Sequence, residues 1–362
     1  VNYCKEQPYF LTLQNNKLLE VAFMSWKTTL YDYVHHKNQM DMDYSVEPLL
    51  PFVTDTQYLQ SQIKRLARAA HSDQDRRYFP VKNETRLSIV EASGHQQQIT
   101  ASIRLKRITV GAIGSAELEE QRVEAERVIL EELDGKWHIA RIESLSTENT
   151  SPIYTANQAS AGEAEEPYFS FGSRSPSLPY LNYTILPYLE TAGRKGNYDR
   201  AKAVEYAEVW WDKANPSYIE FEVDCSSFVS QCLFAGGAPM NYTGKRNSGW
   251  WYKGKYNGQE LWSFSWAVAH SLQLYMLNSR TGLHAEIVDH ADQLELGDVI
   301  SYDWDGSGRY QHSVIVTAKD ANGMPLVNAH TANSRHRYWA YKDSPAWTER
   351  TKYSFLHISD QF

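Results

Sequence analysis

From Ser146 to Pro187 the chain shows no sustained hydrophobic period, and Ser, Thr, Pro, Gly and Glu dominate it. That is the composition of a connector. Lying near the middle of 362 residues, it requires each flank to bury a core of its own. The expected organisation is a domain over residues 1–145, a linker over residues 146–187 and a second domain over residues 188–362. Hydrophobic residues are 42% of the chain, enough for two packed cores.

The first flank reads as a small α+β domain. Leu18, Leu19, Ala22, Phe23 and Trp26 recur at helical spacing within Lys17–Val46. Leu59, Ile63 and Leu66 do the same within Asp55–Ala70. The period then becomes two. Ile99, Ala101, Ile103 and Leu105 alternate with polar neighbours, and Val128 and Leu130 share a strand face with Glu126. Asp134-Gly135 marks a hairpin before Trp137, Ile139 and Ile142. Helices followed by an antiparallel sheet resemble, in pattern, the cone-shaped NTF2-like domains.

The second flank opens with an amphipathic helix over Tyr198–Ala214 that Asn215-Pro216 ends. Another begins at Asp224-Cys225, turns Phe228, Val229, Cys232 and Leu233 inward, and stops at Gly236-Gly237. Strands are expected over Asp298–Asp303, His312–Ala318 and Pro325–Thr331, and near Tyr353–Ile358. A helix carrying a cysteine, then an antiparallel sheet, makes this flank α+β as well.

A formal net charge of -8 argues against nucleic acid, which selects basic surfaces. No apolar run reaches the roughly 18 residues that a membrane-spanning helix needs. The chain starts at Val1, which leaves room for a leader or anchor removed beforehand. Cys225 and Cys232 stand seven apart in one expected helix. That spacing puts their Cα atoms roughly 10 Å apart, beyond the ~7 Å reach of a disulfide. Cys225 is therefore expected to be a free thiol.

Chemistry concentrates in the second flank. Asp224-Cys225-Ser226-Ser227 precedes an apolar helical run, as at a helix N-terminus. A thiol there feels the positive end of the helix dipole, and the unpaired N–H groups of the first turn can hold an oxyanion. His312 opens an apolar strand after the loop Asp303–Tyr310 and is the candidate base. Asn328 and His330 alternate on the next strand. A connecting loop of odd length, Lys319–Pro325, would pair Val316 with Asn328 and Val314 with His330, bringing His330 diagonal to His312. One of them would then orient the imidazole, as a Cys–His pair requires.

Taken together, Asn197-Tyr198-Asp199-Arg200, Asp224-Cys225-Ser226-Ser227-Phe228-Val229-Ser230-Gln231-Cys232-Leu233, Gly236-Gly237-Ala238-Pro239-Met240, Trp250-Trp251-Tyr252, Gly297-Asp298-Val299-Ile300, His312-Ser313 and Ala329-His330-Thr331 resemble the amidase domain of Gram-positive bacteria. That domain is related to the NlpC/P60 cell-wall peptidases. The resemblance implies a papain-like fold, Cys225 as nucleophile, His312 as base, and either His330 or Asn328 as third member. It also implies export to the envelope and a peptide or peptidoglycan substrate. Relatives often carry Thr-Asn after the cysteine, where this chain has Ser226-Ser227.

Asp224 is read as a helix cap or a contact for the substrate amine, and Gln231 as structural. Trp250, Trp251, Trp262 and Trp266 are read as core or as the lining of a cleft. The spacings of His284, His290, His330 and His336 suggest no zinc site. Asp303–Gly308 lacks the final Glu of a calcium loop. No cofactor is expected. An acyl transferase using the same thiol, or a wall-binding scaffold without activity, are the alternative readings.

Overall fold

In a computed structural model of the chain, residues 25–95, 97–145, 148 and 196–362 are described. Cys4, residues 17–24 of the first expected helix, and all of the expected linker but Glu148 lie outside them. The described part of that helix is α1, Trp26–Asp43. It starts where the Ser25 side chain accepts from Thr28 N and ends as Tyr44 turns left-handed at φ 52. α2, Thr56–Asp75, starts the same way, with Asp55 accepting from Tyr58 N at 2.9 Å. Both caps satisfy N–H groups that a first turn leaves unpaired.

Four antiparallel strands follow: β1 (Tyr78–His95), β2 (Gln98–Ile113), β3 (Ala116–Leu133) and β4 (Lys136–Ser144). The alternation read from the sequence is realised here. Ala101, Ile103 and Leu105 of β2, with Val128 and Leu130 of β3, bury against Leu30, Tyr33 and Met40 of α1. Asp134 and Gly135 sit at φ 52 and 74, the pair of positive values that a tight hairpin takes up. Glu126 shares the buried face, where it pairs with Lys37 Nζ at 2.5 Å and accepts from Tyr33 Oη at 2.9 Å.

The C-terminal elements are α3 (Arg200–Trp210), α4 (Cys225–Ala235), β5 (Tyr252–Tyr256), β6 (Gln259–Trp262), α5 (Phe264–Ala267), α6 (Ala269–Asn278), β7 (Ala285–Val288), β8 (Val299–Asp303), β9 (His312–Lys319), β10 (Pro325–Ala329), β11 (Ser334–Tyr338) and β12 (Lys352–Ile358). The helices and the antiparallel sheet make the chain α+β. The main sheet runs β1-β2-β3-β11-β10-β9-β8-β12-β7, with β4 on β3. α4 lays Phe228, Val229, Cys232 and Leu233 on one face of its C-terminal part, over Val299, Ile315, Leu356 and Ile358. The other face packs Ile300, Tyr302, Val314, Val316, Val327 and Ala329 with Trp304 and Tyr341.

The two flanks meet edge to edge. Ser334 and Arg335 of β11 pair with Arg122 and Gln121 of β3, and Val123 N donates to Asn333 O at 2.8 Å. Arg122 pairs with Asp343 across this seam. Beside it lies a cavity of about 110 Å³ lined by Tyr78, Arg107, Arg122, Tyr338 and Asp343 among others.

Candidate active site

α4 starts at Cys225, but not as its sequence suggests. Asp224 occupies the cap position at φ -109 and ψ 2, and its side chain makes no capping bond. The cap comes from another strand. Thr331, just beyond β10, accepts from Asp224 N at 3.1 Å and from Cys225 N at 3.2 Å through its Oγ1. Thr331 sits at φ 77, a strained value for a β-branched residue. The Asp224 carboxylate turns instead to His330 Nδ1 at 2.7 Å. Burial raises the Asp224 pKa, and the His330 bond works against that rise.

The Cys225 thiol is 2% exposed and lies 3.7 Å from Ser226 Oγ. Burial pushes its pKa up, and the Ser313 backbone N–H directed at it pulls the other way. Both Cys225 and Cys232 are free thiols, and Cys232 is enclosed by the core under α4. Gln231 bridges Ser227 Oγ at 3.0 Å and Tyr206 Oη at 2.7 Å.

His312 is the first residue of β9 and pairs with Tyr302. Its ring is 1% exposed, and neither nitrogen has a hydrogen-bond partner. Tyr302, Trp304 and Tyr341 surround it, with centroids 5.6, 5.9 and 5.6 Å away. Burial lowers its pKa to about 4, with Glu148 opposing the fall and Arg337 adding to it. Alternation along β9 groups His312 with Val314 and Val316, whereas α4 packs on the face of Ile315. No hydrogen bond joins thiol and imidazole. The residue of β9 that acts on the Cys225 thiol is Ser313, the neighbour of His312, through its backbone.

The expected third members do not meet His312. The odd-loop register holds at Pro325↔Lys319 and Leu326↔Ala318, and an irregularity follows before Val327. Asn328 therefore pairs with Ile315 rather than Val316, which turns it to the α4 side. Its amide is fully used there. Oδ1 accepts from Thr317 Oγ1 at 2.8 Å and His336 N at 2.9 Å, while Nδ2 donates to Glu208 Oε1 at 2.9 Å. His330 is held at both nitrogens, by Asp224 and by Trp210 O at 2.6 Å, and stacks on Phe228 at 4.0 Å. The expected diagonal of His330 and His312 is thus replaced by a His330–Asp224 pair under the start of α4.

The tryptophans are buried rather than cleft-lining in this state. Trp250, Trp251, Trp262 and Trp266 are enclosed, and Trp250 Nε1 donates to Ser230 Oγ at 3.0 Å. In the Asp303–Gly308 loop, the Asp303 carboxylate accepts from Ser307 N at 3.1 Å and Gly308 N at 2.7 Å. Among the described residues no cluster of three His, Cys, Asp or Glu side chains is placed to hold a metal. None of their helices is long and apolar enough to cross a membrane. Two residues that the sequence did not single out by role belong to the site. Thr331 was visible only as part of Ala329-His330-Thr331, and Glu148 carried no local signal at all.

Residues 197–356 match the model of a family described as "Putative amidase domain". The uncharacterized protein YhbB of Bacillus subtilis (strain 168) is 53% identical over 171 residues, covering 47% of this chain and 53% of that protein. The uncharacterized protein YjcM of the same strain is 27% identical over 151 residues, covering 40% of this chain and 33% of that protein. The chain thus spans about half or less of the length of these curated relatives. Among solved structures, the intermembrane space region of chloroplast protein ARC6 aligns at a TM-score of 0.26 and 12% identity, over 33% of this chain and 92% of that one. A likeness of that size carries no argument. The likeness that does carry one lies in the segment holding Cys225, His312 and His330, which is amidase-like.

Proposed function

We propose that the C-terminal flank is a papain-like, NlpC/P60-related cysteine amidase, acting outside the cytoplasm on peptide amide bonds of the bacterial cell wall. The observation that carries this reading is the start of α4. Cys225 begins a helix there as a free thiol, its backbone N–H held by Thr331 Oγ1 at 3.2 Å. In the reaction the Cys225 S–H proton passes to His312 and the sulfur attacks the scissile carbonyl. The carbonyl oxygen takes the Cys225 N–H that Thr331 now occupies. His312 gives its proton to the leaving amine, and water, deprotonated by the same ring, releases the acid. The N-terminal flank, proposed as NTF2-like, supports this half through the β3–β11 seam.

The missing thiol–imidazole bond favours a second reading, a wall-binding scaffold in which Cys225 is inert. Iodoacetamide labelling of Cys225 against pH, in wild type and His312→Ala, separates the two. Labelling well below the pH at which a free thiol ionises, lost in the variant, supports the enzyme. Slow labelling that ignores the variant overturns it. An amine added during turnover of a peptide substrate distinguishes hydrolysis from acyl transfer by the mass of the product.

A further inference from the structure

The strand face that bears His312 is wired to the N-terminal flank. Glu148, 5% exposed, lies outside the amidase-like residues 197–356. Its carboxylate accepts from Arg337 Nη1 at 2.6 Å and Ser344 Oγ at 3.0 Å. Trp304 touches both Glu148 and the imidazole. Its Nε1 donates to Glu148 O at 3.3 Å, and its ring stacks on His312 at an interplanar angle of 26°. Arg337 also pairs with Asp343 at 3.2 Å, which in turn pairs with Arg122 of β3. Charges of alternating sign thus run from the N-terminal sheet through Arg122, Asp343, Arg337 and Glu148 to the His312 box.

We propose that Glu148 is a positioning residue for His312, holding the imidazolium that forms when the Cys225 thiol gives up its proton. This inference rests on the thiol reading above. The S–H bond breaks, the proton goes to one ring nitrogen, and the N–H at the other turns to the carboxylate. Both nitrogens are free for this, because neither is bonded at rest. The other groups facing the ring cannot take the role. Arg337 repels a cation there. The Tyr302 and Tyr341 phenols are kept neutral by burial, the latter with its pKa pushed up to about 12. Asn328 and His330 are committed on the α4 side. The site would then be completed by a residue that the amidase-like segment alone lacks.

The test uses the full chain and its Glu148→Gln and Glu148→Asp variants. His312 is followed by histidine-ring NMR, its signal assigned by loss in His312→Ala, and Cys225 by its alkylation rate. Glu148→Gln should lower the His312 titration midpoint by about one unit or more and slow alkylation near neutral pH, with Glu148→Asp falling in between. A midpoint unmoved in folded Glu148→Gln overturns the proposal. Should Gln prevent folding, the Asp variant is read alone, and an unmoved midpoint overturns it equally. Failure of the thiol reading shows separately, as alkylation in His312→Ala that matches wild type. A midpoint that still responds to Glu148→Gln would then mark Glu148 as a mere neighbour and end its positioning role.

Discussion

His312→Phe should change how the protein responds to acid far more than how stable it is near neutrality. The imidazole has an ordinary pKa of 6.5, which burial lowers to about 4 in the folded chain. The unfolded chain therefore takes up a proton on this ring at a pH where the folded chain does not. Stability from this group is fully present above 6.5 and is lost as pH falls toward about 4. At 1.36 kcal/mol per unit, the loss over that window is about 3 kcal/mol. Phe binds no proton and loses none of it. Near pH 7.5 Phe should be neutral or stabilising, because it fills the Tyr302–Trp304–Tyr341 box without the two unpaired nitrogens. The measurement is guanidinium unfolding by tryptophan fluorescence at several pH values between about 7.5 and 4. Carboxylates with lowered pKa, such as Asp343 and Glu208, weaken both proteins in acid and cancel in the difference. The gap between variant and wild type should widen by about 3 kcal/mol toward low pH. Parallel curves would refute the claim that this ring is held neutral by burial.

Three further outcomes follow from packing. Arg122→Leu removes the partner that Asp343 and Glu120 share at the seam, and thermal unfolding should show a loss of about 1–3 kcal/mol, because the pairs are only partly buried and Asp343 keeps Arg337. Gly249→Ala places a Cβ 2.2 Å from Asn241 O at φ 71; denaturant titration should register at least the ~1–3 kcal/mol of backbone strain, and an unchanged midpoint would contradict this geometry. Thr331→Val keeps the shape but withdraws the oxygen that caps Asp224 and Cys225. It should cost about 0.5–2 kcal/mol of stability in denaturant titration, as cap removals do.

Local rules carried the sequence reading a long way. Period-two alternation located β2 and β3, Asp134-Gly135 located their hairpin with β4, and the run from Phe228 to Leu233 located α4. The reading failed where long-range contacts decide. β7 and β11 were not foreseen, because Ala285–Val288 and Ser334–Tyr338 are short and only partly buried. The register of β10 was right at Pro325 and Leu326 and wrong one residue later, since no residue type announces the irregularity before Val327. That single slip turns Asn328 to the α4 side, where it and His330 make their hydrogen bonds. Asp224 illustrates the same limit. Asp-Cys-Ser-Ser reads as a self-capped helix start, yet a buried histidine competes for the carboxylate and a threonine 107 positions away takes over the cap.

The site as it stands resists its own chemistry, and the source of that resistance says what a substrate must supply. Burial holds the Cys225 thiol above its ordinary pKa of 9.0 and His312 near 4. Moving the proton from sulfur to nitrogen is therefore opposed by burial at both groups. Two local changes bear on the reaction. If the Thr331 oxygen leaves the first turn of α4, the Cys225 N–H becomes free to hold an oxyanion, while the thiol loses a contact that pulls its pKa down. A ring nitrogen that reaches the Glu148 carboxylate gains a partner for the imidazolium, and a charge-assisted bond of that kind contributes about 1.5–3 kcal/mol. A peptide entering between Thr331 and α4 would drive the first change, and on the proposed reading a substrate doing so would be recognised by the contact that frees the Cys225 N–H for its carbonyl oxygen.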